Sequence, residues 1–147
     1  MDQLHNARQL LSQVGWLAEM PSEFANNVLS RCRLLVLERG STVYRVGEPP
    51  DGLYGLAKGT CAMDMAPNES GPNPLHIARP GTWFGESALF PHRDRLRLVT
   101  IIATRPTHCL YLPTAEWEQI AENDPNAWRW LGLLSAIHFR NTLARLS

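Results

Sequence analysis

Glu86 and Arg97 are the residues of this 147-residue chain whose types and spacing most suggest chemistry. Glu86 sits inside Gly81-Thr-Trp-Phe-Gly-Glu-Ser-Ala-Leu-Phe90, where Phe84 reads as a strand end and Gly85 as a hinge. Ser87 to Phe90 can make one short helical turn, stopped by Pro91. Such a turn presents backbone N–H groups that suit an anion. Glu86 beside it can accept hydroxyl protons, and Arg97, expected on the following strand, can reach over to neutralise a phosphate. Together they would hold a sugar phosphate. A glycine and a glutamate at a strand end also make an ordinary turn, so the elements around them decide between the readings.

Length and composition bound those elements. A chain of this size forms one domain with a substantial core. Lys+Arg and Asp+Glu are equal at 14 each, so no basic field gathers nucleic acid by charge. Three cysteines, Cys32, Cys61 and Cys109, are scattered, and none forms a C-x-x-C pair. Neither a disulfide framework nor a zinc site is suggested, and a reduced, cytoplasmic setting is expected. The start has no charged n-region followed by an apolar run, and the apolar stretches are too short to span a membrane.

Periodicity divides the chain in order. Leu4, Ala7, Leu11 and Val14 predict an amphipathic helix over 2–14, closed by Gly15. A second helix follows Pro21, with Phe24, Ala25, Val28 and Leu29 on its apolar face. Short strands follow between glycine and proline turns, including the dense block Gly47-Glu-Pro-Pro-Asp-Gly52. Lys58-Gly59 reads as a hairpin into 60–65, where Cys61, Met63 and Met65 share one face. A polar loop over 66–74 leads to a return strand, Leu75 to Ala78. Leu96 to Thr104 and His108 to Leu112 read as the last two strands. Eight or so such strands imply a β-roll or jelly roll. Pro113-Thr114 opens a helix ended at Asp124-Pro125, and Trp130, Leu131, Leu134, Ile137 and Leu143 make a long helix to the C-terminus. The expected layout is a single unit: N-terminal helices 1–31, β-roll 32–113, hinge helix 114–124 and long helix 125–147.

Two glycine-punctuated blocks, Gly40 to Gly59 and Gly81 to Phe90, taken in this order with that layout, resemble the cyclic nucleotide-binding domain of the Crp/Fnr regulators. The resemblance covers roughly 15–147. It implies a double-stranded β-roll and an effector such as cAMP or cGMP. It further implies a homodimer paired through the long helix, although periodicity alone also allows that helix to pack only on its own roll. Gly85 and Glu86 match the family's ribose-binding glycine and glutamate. Ser87 and Ala88 match the backbone that takes the cyclic phosphate, and Arg97 matches its arginine. Thr142 falls where cAMP-reading members place a purine-contacting threonine. Arg93 and Arg95 are substitutes for Arg97, in what otherwise reads as a solvated charged loop.

One departure stands out. The family follows the arginine with Ser or Thr and then Ala, whereas here Leu98 and Val99 follow Arg97. A lost hydroxyl contact is worth roughly 1 to 2 kcal/mol, or around tenfold in affinity. An inward-pointing Arg97 needs an anionic partner, either ligand phosphate or Glu86 in an empty site.

Other classes leave weaker marks. A ligand-free dimerisation scaffold would keep Arg97 and Glu86 as a structural ion pair. A cupin-like metalloenzyme needs a His-x-His, and the chain has none. No G-x-S-x-G elbow supports nucleophilic catalysis, so an enzyme is not expected. Iron–sulfur sensing needs clustered cysteines, and none precedes Cys32. Haem sensing would draw on His76, His108, His138 or Cys61, though a lone histidine is usually a satisfied surface or core residue. DNA binding would require a helix-turn-helix in a longer parent.

Overall fold

The computed structural model describes residues 2–64, 76–91 and 95–146. Helix α1 spans Gln3–Gln13, and Asp2 caps it by accepting from the backbone N–H of Leu4 at 3.0 Å. Ala7 and Leu11 are its buried face, whereas Val14, expected on that face, is the extended residue after the helix and is exposed. A 3-10 turn at Leu17–Glu19 precedes α2, Ser22–Arg31, whose Phe24, Ala25, Val28 and Leu29 are all buried as the spacing predicts.

Among the described residues there are eight strands: β1 (Arg33–Leu37), β2 (Thr42–Tyr44), β3 (Gly52–Lys58), β4 (Cys61–Asp64), β5 (His76–Ala78), β6 (Trp83–Phe84), β7 (Thr100–Ala103) and β8 (Thr107–Pro113). They form two four-stranded antiparallel sheets, ordered β1-β8-β3-β6 and β2-β7-β4-β5. The fold is the expected β-roll flanked by helices. Met65, the loop 66–74 and Leu75 lie outside the described residues, as do His92 and Arg93.

Two strand expectations are corrected. Gly59 does not close a hairpin, because β3 and β4 belong to different sheets and the chain turns a corner of the roll there. A turn residue signals that the chain changes direction without fixing which sheet it enters. The strand expected from Leu96 starts only at Thr100. Its leading segment pairs instead with the loop after β2: Arg97 N–H donates to Glu48 O at 2.9 Å, and Gly47 N–H donates to Arg97 O at 2.7 Å.

Alternation along β3 and β8 builds two cores from the same sheet. One face of that sheet gives Leu53, Leu110 and Leu112 to an outer core with Trp16, Leu17, Phe24, Trp83 and Trp117. The other face gives Tyr54, Leu56 and Cys109 to an inner core with Tyr44, Cys61, Phe84 and Ile101. Gly55 lets the sheet accept Trp83, since a Cβ there would lie 2.8 Å from the indole ring.

Helix α3 runs Thr114–Asn123 and α4 runs Ala127–Leu146. Asp124 separates them, its side chain accepting from Asn126 N–H at 2.9 Å. Leu131 and Leu134 anchor the first half of α4 in the outer core, and Trp16 Nε1 donates to Trp130 O at 2.9 Å. Past Ile137 the helix leaves this core, and Phe139 and Leu143 are 64% and 49% exposed. No helix among the described residues is long and apolar enough to cross a membrane.

Candidate ligand-binding site

Strand β6 ends inside the roll at Phe84, whose ring stacks on Tyr54 with centroids 5.7 Å apart. The next residue reverses the chain. Gly85 has φ +89°, and a Cβ there would stand 2.9 Å from Arg97 Nη1, so the position suits glycine on two grounds. The expected short turn follows as a 3-10 helix, Glu86–Leu89, pinned by buried Ala88 and Leu89. Ser87 is exposed on its outer side.

Arg97 and Glu86 are both buried, 4% and 7% exposed. They do not pair with each other, which corrects the ion pair expected for an empty site. Arg97 Nη2 donates to Asp51 Oδ1 at 3.0 Å and to Gly52 O at 2.7 Å, while Nη1 donates to Gly85 O at 3.0 Å. Its guanidinium lies 4.0 Å above the Tyr44 ring. The arginine thus ties the loop before β3 to the hinge after β6. Glu86 Oε2 instead lies 2.9 Å from His138 Nδ1 and accepts from Ser135 Oγ at 3.4 Å. Both partners come from α4.

A cavity of about 360 Å³ opens between the roll and α4, and Gly85, Glu86, Ser87, Ala88, Arg97 and Thr142 all line it. The residues that the resemblance implies therefore line one cavity. Thr142 sits at the exposed side and donates its hydroxyl to His138 O at 2.9 Å. Leu98 lines the cavity yet is 77% exposed, so its isobutyl group stands at the mouth rather than in the interior. Val99 packs against the inner core.

Arg95 differs from the solvated loop residue expected. It is half-buried, lines the cavity and donates to Ala88 O at 3.3 Å. Arg95 Nε and Arg97 Nε are both buried with no acceptor among the described residues. Both arginines line the cavity, so each brings a positive charge to its wall. The deeper wall is apolar, formed by Tyr44, Met63, Phe84 and Ile101. Burial pushes the Tyr44 hydroxyl up to about 12, partly opposed by the Arg97 charge.

Sequence reasoning missed Asp51, which appeared only as one of several turn residues, and Tyr44. His138 was singled out, but only as a haem-ligand candidate. Among the described residues no group of three or more His, Cys, Asp and Glu is placed to hold a metal ion.

The family model of the cyclic nucleotide-binding domain matches residues 12–124. The chain belongs to this family. A cAMP-activated global transcriptional regulator of Pasteurella multocida is 27% identical over 119 residues, 81% of this chain and 56% of that protein. A protein provisionally named a potassium channel, from Rhodopseudomonas palustris, is 30% identical over 93 residues, 63% of this chain and 22% of its own length. The chain thus spans about half of the regulator and a smaller share of the channel.

Solved structures agree on the fold. The Thermus thermophilus catabolite activator protein superposes with a TM-score of 0.72 at 21% identity, over 89% of this chain and 61% of that one. The regulatory domain of Toxoplasma gondii PKA, crystallised with cAMP, gives 0.74 at 19%, over 94% and 50%. The sensor domain of the regulator DNR from Pseudomonas aeruginosa gives 0.70 at 20%, over 95% and 91%. This cyclic nucleotide-binding domain is therefore homologous to Crp/Fnr transcription regulators.

Proposed function

We propose that this domain is the ligand-sensing part of a Crp/Fnr-type transcription regulator and that its cavity takes a cyclic nucleotide, cAMP or cGMP. The observation that carries the reading is the shared cavity, lined by a buried carboxylate and by two arginines. Glu86 would accept from a ribose hydroxyl, and the N–H groups of Ser87 and Ala88 with Arg97 would hold the phosphate. The apolar wall suits the base, with Thr142 at its edge.

Ligand entry has a consequence for α4. A ribose hydroxyl on Glu86 competes with His138 and Ser135, so binding loosens the clasp between turn and helix. Gly132, Ala136, Phe139 and Leu143 are spaced four, three and four residues apart along α4, the spacing of a coiled-coil seam. A homodimer through this helix would cover Phe139 and Leu143, and the clasp would couple it to the cavity. DNA enters only through a helix-turn-helix of a longer parent, and a cytoplasmic setting fits the free thiols.

A second reading, a ligand-free dimerisation scaffold, is favoured by one observation. The Nη atoms of Arg97 are already satisfied by Asp51 and two carbonyls. Isothermal titration with cAMP and cGMP, with 5′-AMP as control, separates the two. Micromolar binding of a cyclic nucleotide supports the sensor. No heat and no thermal shift at millimolar ligand leaves the scaffold.

A further inference from the structure

All three tyrosines of the chain belong to the inner core, and two of them have protein partners for their hydroxyls. Tyr54 donates to Asp51 Oδ2 at 2.8 Å, and Tyr111 donates to Asp51 O at 2.7 Å. Tyr44 differs. It is 7% exposed, yet its hydroxyl makes no hydrogen bond among the described residues. A buried polar group is normally paired, so an open one points to a partner that the chain itself does not supply. Nor is this oxygen one of the fully enclosed, unpaired atoms of the protein. Tyr44 lines the cavity, and its hydroxyl opens there.

The surrounding strands fix where that hydroxyl stands. The β2 ladder shifts register between Thr42 and Tyr44, which brings Tyr44 opposite Ile101, another residue of the cavity wall. Tyr54 and Phe84 hold the ring, their centroids 5.6 and 6.2 Å away. The Arg97 guanidinium lies 4.0 Å above the same ring, so the phenol oxygen at the ring's edge is beside the arginine. Both Nη atoms of Arg97 already donate, to Gly85 O, Asp51 Oδ1 and Gly52 O. Leu98, next in the chain, has no hydroxyl and stands at the mouth. An anion drawn in by the guanidinium charge therefore meets in Tyr44 a donor with no competing partner. Burial pushes that hydroxyl up to about 12, so at neutral pH it keeps its proton and donates.

We propose that Tyr44 is a ligand contact, its hydroxyl donating to an oxygen of the cyclic phosphate beside Arg97. The inference rests on the cyclic-nucleotide reading of the cavity and adds to it a residue that the resemblance did not supply. Arg97 contributes charge, and the phenol contributes a directed bond. Because cAMP and cGMP carry the same phosphate, this contact favours the anion and is indifferent to the base.

The test titrates the full chain and its Tyr44→Phe variant with cAMP and cGMP, and melts both ligand-free proteins at neutral pH. Phenylalanine keeps the ring under the guanidinium and removes the hydroxyl alone. Affinity should fall about tenfold or more, by the same factor for both nucleotides. The melting temperature should not fall, because the hydroxyl has no bond within the protein to lose. Equal affinity in the two proteins would overturn the proposal and leave the cyclic-nucleotide reading standing. A loss confined to one nucleotide would also overturn it, by moving the hydroxyl to the base. A lowered melting temperature alongside the loss would make Tyr44 a structural support instead. If the wild type binds neither nucleotide, the reading of the cavity fails and the proposal fails with it.

Discussion

The outer and inner cores share the strands β3 and β8 yet are built to different rules. The outer core is closed and apolar: Leu11, Leu17, Val28, Trp117 and Leu131 fill the space between helices and sheet. The inner core holds aromatics and thiols, and beside it lie Arg97, Glu86 and an open cavity. One face of the sheet therefore secures the fold, and the other accepts buried charge. A buried arginine is tolerable there only because three oxygens and a tyrosine ring surround it.

That contrast can be broken first in the outer core. Trp117→Ala should cost roughly 3–5 kcal/mol in urea denaturation, because its fully buried indole leaves a cavity the helices cannot close. A loss below about 1 kcal/mol would mean that the helices hold the sheet by other contacts.

Alkali should act on the inner core next. Unfolded Tyr44 ionises near 10.0 and the folded residue near about 12, so the unfolded chain sheds its proton first. Stability from the neutral phenol is then whole below pH 10 and is lost as pH rises through about 12. Tyr44→Phe should flatten the part of that decline owed to this group, measured as melting temperature against pH.

Smaller effects sharpen the site. His138→Ala should raise cyclic-nucleotide affinity a few fold by freeing Glu86 of a competitor. Weaker binding in this variant would make His138 a ligand contact rather than a competitor. Leu98→Ser should raise affinity by about tenfold at most and leave the melting temperature unchanged, because Leu98 is exposed at the cavity mouth.

The outer core was the more legible region. Helical spacing located Phe24, Val28, Leu131 and Leu134 because a continuous apolar stripe must be buried, whichever partner covers it. Beside the inner core, Gly85, Glu86 and Arg97 stood out through the resemblance to the Crp/Fnr domain, since a glycine and a glutamate at a strand end also make an ordinary turn. Their partners did not. Asp51 lies 46 residues from Arg97 and His138 52 from Glu86, and no periodicity records pairings made by the roll's closure. Arg97 was placed on a strand because its alternation with Ile101 and Ala103 is real, yet its backbone bonds to the 47–48 loop rather than to a strand.

The most direct measurement is a parallel titration of wild type and Arg97→Lys with cAMP and cGMP. Lysine keeps the positive charge but not the fork that joins Asp51, Gly52 and Gly85. Micromolar binding in the wild type, weakened at least about a hundredfold in a folded Arg97→Lys protein, is the expected result; two lost charge-assisted bonds correspond to roughly 3 kcal/mol or more. Equal affinity in the two proteins would contradict the placement of the phosphate at Arg97, and no binding in either would leave the cavity without a cyclic nucleotide.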